Sequence, residues 1–160
     1  MARVKKIMLT NVLTLGKDAK VDEAAKLLAQ QGGGCVVVAE DKKPIGIITE
    51  HDIVRSVASK AKSMDVPLFN IMTSPVTLME PRMKLDEALK IIDTRKYRHY
   101  PVVDNGQLIG LATKTDIVNA ISDNLRFHRN IQNSVLVLFV LFEFFVFVLE
   151  KYISRLPFLG

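Results

Sequence analysis

Gly46-Ile47-Ile48-Thr49-Glu50-His51-Asp52-Ile53 decides how the rest of the chain is read, because its pattern returns as Gly110-Leu111-Ala112-Thr113-Lys114-Thr115-Asp116-Ile117. In each copy an apolar, β-branched run suited to a buried strand meets Thr-x-x-Asp, the arrangement of a helix start. The glycine permits another group to approach the backbone closely. A threonine hydroxyl, an aspartate carboxylate and the free N–H groups of a helix terminus are thereby crowded into one spot. Two readings fit that spot. Thr-x-x-Asp caps many helices that hold no ligand. It also suits a ribose and a phosphate, since the carboxylate accepts from two sugar hydroxyls while the N–H groups and the positive dipole end favour an anion.

Laying the chain on itself at an offset of 64 residues, from Gly46 to Gly110, extends the match well beyond the motif without a gap. Met8 falls on Met72, Val12 on Val76, Lys20 on Lys84, Asp22-Glu23-Ala24 on Asp86-Glu87-Ala88, Lys26 on Lys90 and Val38 on Val102. Repeats this long are ordinarily whole structural units that bury their apolar faces on each other. A length of 160 residues suits one compact domain or two small units about a shared core. The net charge of +5 comes from Lys and Arg interspersed with acids, with no block of like charge, which argues against nucleic acid as the main partner. A single cysteine leaves no internal disulfide framework and fits a reducing, cytoplasmic compartment. No apolar stretch of the kind a secretory signal needs follows the basic Met1 to Lys6.

In chain order, Val4 to Leu15 reads as a lead-in and short strand. A helix follows, with Val21, Ala24, Ala25 and Leu28 on one face and Asp22 and Glu23 in its first turn. It stops at Gly32-Gly33-Gly34, read as a C-cap because the strand Cys35 to Ala39 comes next, whereas phosphate-cradling loops lead into a helix. Cys35 is expected to be a buried strand residue. A polar turn at Glu40 to Pro44, a strand Ile45 to Ile48 and a helix from Glu50 to about Lys60 complete the first unit. The second repeats the order: a strand near Val76, a helix Asp86 to Arg95, a strand Tyr100 to Val103, an Asn-Gly turn, a strand Leu108 to Ala112 and a helix from Lys114 to about Asp123. The expected fold is α/β, with two β-α-β-β-α units at 8–60 and 72–123 related by a pseudo-two-fold axis. A linker at 61–71 and a hydrophobic tail at 124–160 complete the expected organisation.

The two motifs, taken with Tyr100-Pro101-Val102-Val103-Asp104, resemble a tandem pair of cystathionine β-synthase (CBS) domains over Met8 to Ser122. The resemblance implies clefts between the repeats that bind adenine nucleotides or S-adenosylmethionine and a regulatory role without catalytic residues, metal or cofactor. By position, Asp52 and Asp116 match the family residue on the ribose, and Thr49 and Thr113 the one beside the phosphate or ribose. The halves differ in charge: Arg95, Lys96, Arg98 and His99 precede Tyr100, where the first unit has Gln31, Gly32, Gly34 and Cys35. One reading is a solvated helix end that complements the dipole. The other gives the phosphate to Arg98 and His99, arginine being suited by its permanent charge and paired N–H donors. Tyr100 either shelves the base or packs in the strand. AMP is the first expected ligand because few cations are available, ahead of ADP, ATP or S-adenosylmethionine. The first copy lacks the basic lip and is expected to bind weakly or not at all. Ala112, opposite Ile48 of the first copy, either widens the pocket near Asp116 or fits a packing neighbour.

An enzyme would need a triad or metal spacing that His51, His99, His128 and Cys35 do not provide. The alternative function is a ligand-free adaptor that dimerises and is tethered by its tail. The expected assembly is a homodimer through the apolar stripes of Ile53, Val54 and Val57 and of Ile117, Val118 and Ile121, acting on an unidentified regulated protein. The tail from Val135 to Leu149 holds 14 apolar residues and Glu143. At about −0.3 to −0.6 kcal/mol per apolar residue and roughly +3 for the acid, helical insertion into a bilayer is favourable by a few kcal/mol. Fifteen residues reach only about 22 Å, so spanning a core of about 30 Å recruits Ile131 to Ser134 or Tyr152 to Ile153. Arg126, Arg129, Lys151 and Arg155 flank the stretch. It is read as a membrane anchor with Glu143 toward a partner, against burial on a second chain or a shifted reading frame.

Overall fold

The apolar spacing of the first repeat produces β1 (Thr14–Leu15), α1 (Val21–Gln31), β2 (Cys35–Glu40), β3 (Lys43–Thr49) and α2 (Glu50–Ala58). The second gives α3 (Leu85–Arg95), β4 (His99–Asp104), β5 (Gln107–Thr113) and the start of α4 (Lys114–Ile153). The computed structural model describes residues 2–59, 64–95 and 97–153. The expected helix end at Lys60, residues 61–63 of the linker, Lys96 and Arg155 lie outside the described residues. Two compact units divide the chain, Met1–Ala120 and Ile121–Gly160, and both repeats with their sheets belong to the first.

Local chemistry accounts for the boundaries. α1 ends on Gly32, left-handed at φ 65°, whose N–H reaches the Leu28 carbonyl at 3.0 Å, the C-cap the glycine run suggested. At the start of α1 the Lys20 N–H donates to Glu23 Oε1 at 3.0 Å, and at the start of α3 the Lys84 N–H donates to Glu87 Oε2 at 3.2 Å. The repeated Asp-Glu-Ala is thus a duplicated helix start. Asn105 and Gly106, at φ 50° and 78°, make the tight turn between β4 and β5, and Asp41 and Lys42, at 47° and 63°, make its counterpart.

β1 pairs parallel with β2, which pairs antiparallel with β3; β4 and β5 form an antiparallel hairpin. The strand expected near Val76 does not form. Its segment makes a single parallel bridge, Met79 to Val102. The reason is one missing donor: in the first repeat the Val37 N–H donates to the Leu13 carbonyl at 2.9 Å, and the residue equivalent to Val37 is Pro101, which has no N–H.

The segments that lead into the two repeats cross over. Leu9 exchanges two backbone hydrogen bonds of 2.8 Å with Leu111 of β5, while Thr73 exchanges bonds of 2.9 and 3.1 Å with Ile47 of β3. Further along, the Val4 N–H donates to the Met83 carbonyl at 3.0 Å and its equivalent, Leu68, donates to Ala19 at 2.8 Å. Each lead-in therefore edges the sheet and helix of the other repeat. The crossing explains the motif glycines: a Cβ on Gly46 would stand 2.2 Å from Met72 Sδ, and one on Gly110 would stand 2.8 Å from both Met8 Sδ and the Leu9 carbonyl oxygen.

Val21, Ala24, Leu28, Val36, Val38 and Ile48 form one core, closed by Leu68 from the opposite lead-in. Their equivalents Leu85, Ala88, Ile92, Tyr100, Val102, Ala112 and Val4 are all buried as well. Tyr100 stands across the ladder from Ala112 where Val36 stands across from Ile48. The small Ala112 thus stands opposite the large ring, which is fully buried in the core. Between the sheets, Cys35, Val37, Ile47 and Leu111 make a second cluster, and burial pushes the Cys35 thiol up to about 12. α4 does not stop near Asp123 but continues to Ile153, because neither glycine nor proline interrupts it.

Candidate functional site

Strand alternation selects what faces the space between the repeats. Along β4, Tyr100 and Val102 point to the helical side, so His99 points the other way, and Arg98 lies just before the strand. A Cβ on Gly34 would meet His99 Nε2 at 3.1 Å, which places the imidazole against the first repeat's equivalent of the Arg98 position. The Lys114 N–H donates to the Arg98 carbonyl at 2.9 Å and ties the start of α4 to this lip.

Both Thr-x-x-Asp segments form the capping arrangement. Thr49 donates to Asp52 Oδ2 from Oγ1 at 2.7 Å and from its N–H at 2.9 Å; the Asp52 N–H returns to Thr49 Oγ1 at 3.4 Å. Thr113 Oγ1 donates to Asp116 Oδ2 at 2.6 Å, and the Asp116 N–H returns to it at 3.1 Å. All the caps use Oδ2, so capping leaves Oδ1 outside its bonds. The bland reading of the motif is therefore correct and does not compete with a second use of the carboxylate.

A cleft of about 1020 Å³ is walled by residues of both repeats. Thr49, Asp52, Arg98, His99 and Thr113 line it, while Asp116 and Tyr100 do not contribute to its wall. Tyr100 is fully buried, and its phenol donates to the Tyr97 carbonyl at 3.0 Å. The wall also includes Arg55, Lys114, Tyr97 and the Pro75–Thr77 segment. Arg55 was legible in the sequence as the residue three beyond Asp52, on the same helical face. Of the fixed charges on the wall, Arg55, Arg98 and Lys114 are positive and Glu50 and Asp52 negative. Burial, then the Arg98 guanidinium, hold His99 below the usual histidine range, against the opposing pull of Asp116 and Glu50.

The CBS-domain family model matches residues 4–59 and 68–123, so this chain belongs to the CBS-domain family and carries a pair of such domains. An uncharacterised protein of Methanopyrus kandleri is 40% identical over 111 residues, covering 68% of this chain and 57% of that one. The chain spans about half the length of the curated relatives that head the comparison. Among solved structures, a CBS-domain containing protein from Agrobacterium tumefaciens aligns with a TM-score of 0.66 at 32% identity, over 74% of this chain and 92% of that one. The CBS domain pair of protein MJ0100, in complex with 5′-methylthioadenosine and S-adenosyl-L-methionine, aligns with a TM-score of 0.69 at 24% identity over 78% and 98%, a likeness of fold alone.

Proposed function

We propose that the CBS pair is a regulatory module that senses an adenine nucleotide in the cleft between its repeats, with AMP the preferred ligand. The observation that carries this reading is the meeting of Arg98, His99, the Thr49–Asp52 helix start and Thr113 around one cleft. In this reading Asp116, held from behind the wall by its bond from the wall residue Thr113, turns the oxygen its cap leaves out toward the ribose hydroxyls, and Arg98 takes the phosphate with His99 beside it. Thr49 and Asp52 offer the equivalent group from the first repeat. Three cations against two carboxylates on the wall suit a monophosphate better than a triphosphate. Tyr100 acts only by packing. The module works in the cytoplasm, where such nucleotides are held, and exerts its effect on a separate protein. Val54 and Val57, 64% and 56% exposed on α2, support a homodimer.

Titration calorimetry with AMP tests the assignment. Asp116→Ala and Arg98→Ala should each weaken binding by about 1–3 kcal/mol, the range for hydrogen bonds to charged groups. Affinities equal to the parent in both variants would overturn it. A parent that binds no adenosine compound at all would favour the ligand-free adaptor.

A further inference from the structure

The stretch Arg129–Leu149 is helical throughout, and its most apolar 18 residues have a mean hydropathy of 2.2 and are buried nowhere inside the protein. From Val135 to Leu149 every side chain is exposed except the half-buried Val146. Helix continuity answers the difficulty of length, because the 21 residues of this stretch rise about 31 Å, the thickness of a hydrocarbon core. Near its start the Ser134 hydroxyl donates to the Asn130 carbonyl at 2.9 Å, satisfying a polar group within the helix itself.

The distribution of apolar side chains distinguishes lipid from a protein partner. A helix that docks on a protein presents one apolar stripe and keeps a polar face for water. Val135 to Phe142 is an unbroken run of eight apolar residues and so covers every direction around the axis. Only an isotropic apolar surrounding satisfies all of them. Arg126 and Arg129 at one end and Lys151 at the other stand at the levels where long basic side chains reach the head groups.

We propose that Arg129–Leu149 crosses a lipid bilayer as a single span, with Arg129 at the head-group level and Glu143, about 6 Å from the centre at Phe139, as the charged side chain within the hydrocarbon. The experiment uses the full chain produced in bacterial cells, with membranes washed in alkaline carbonate and then floated through a density gradient. The parent should float with lipid after the wash. The double variant Leu138→Lys, Leu141→Lys should lower the floating fraction on the order of tenfold or more, because two ammonium groups then fall at the centre of the span. A parent that stays in the supernatant, a parent that sediments without floating, or a double variant that floats like the parent would each overturn the proposal. None of these outcomes depends on what the cleft binds.

Discussion

Replacing Gly110 by alanine tests the crossing of the lead-ins at its tightest point. The new Cβ would lie 2.8 Å from the Leu9 carbonyl oxygen and 2.8 Å from Met8 Sδ. The sulfur can swing aside, but the carbonyl cannot, because it accepts from the Leu111 N–H at 2.8 Å while the Leu9 N–H donates to Leu111 at 2.8 Å. Forcing a methyl into such a contact costs about 1–3 kcal/mol. Weakening two backbone hydrogen bonds adds about 0.5–1.5 kcal/mol each. The reduced freedom of the unfolded chain returns about 0.4–1 kcal/mol. The net expectation is a loss of about 3 kcal/mol, read as a lower urea midpoint in detergent-held full chain followed by circular dichroism. Gly46→Ala should cost less, since its nearest obstacles belong to the flexible Met72 side chain, and Gly16→Ala, with nothing within 4 Å, should be neutral or slightly stabilising. If Gly110→Ala and Gly16→Ala agreed within about 0.5 kcal/mol, the reasoning from the crossed lead-in would be refuted.

His99 supplies a pH dependence whose sign follows from its depressed folded value. The unfolded chain titrates near 6.5 and the folded one lower, so between these values the unfolded state binds more protons. The stability from keeping His99 neutral is complete above pH 6.5 and is lost as pH falls through the folded value. The urea midpoint of the parent should therefore fall relative to that of His99→Gln on acidification, and a parent that gains on the variant as pH falls would contradict this. Tyr100→Phe should cost about 1 kcal/mol in the same assay through the lost bond to the Tyr97 carbonyl, and should leave AMP affinity unchanged in calorimetry.

Duplication made the fold legible, because Val21, Ala24, Leu28, Val36, Val38 and Ile48 of the first repeat's core each have a buried apolar equivalent at the same offset, from Leu85 to Ala112. The strand near Val76 was misjudged because its loss depends on a donor absent from another segment, at Pro101, and such cross-chain dependence is invisible to local pattern. Tyr100 illustrates strand parity: adjacent residues on β4 face opposite ways, so the basic character of His99 says nothing about its neighbour. The Thr-x-x-Asp motif marks Asp116 in the sequence, whereas its absence from the cleft wall, to which Thr113 and Thr115 contribute, is a matter of tertiary placement that local pattern does not carry. Arg55 reaches the cleft from the first repeat, away from the basic lip at Arg98 and His99, and only its spacing from Asp52 on α2 signals that placement.

The crossed lead-ins also have a consequence for how the chain reaches its native state. Val4 seals a core whose other members begin at Leu85, and Leu68 seals one whose other members begin at Val21. One repeat alone lacks the residue that closes its core and the segment that pairs with its sheet edge. The closure that links Val4 to the Leu85 region must be made across most of the module before either half gains its full burial, an entropic cost that rises only slowly with loop length. Such long-range closure slows folding relative to a fold of local contacts and makes both motifs depend on the same closure.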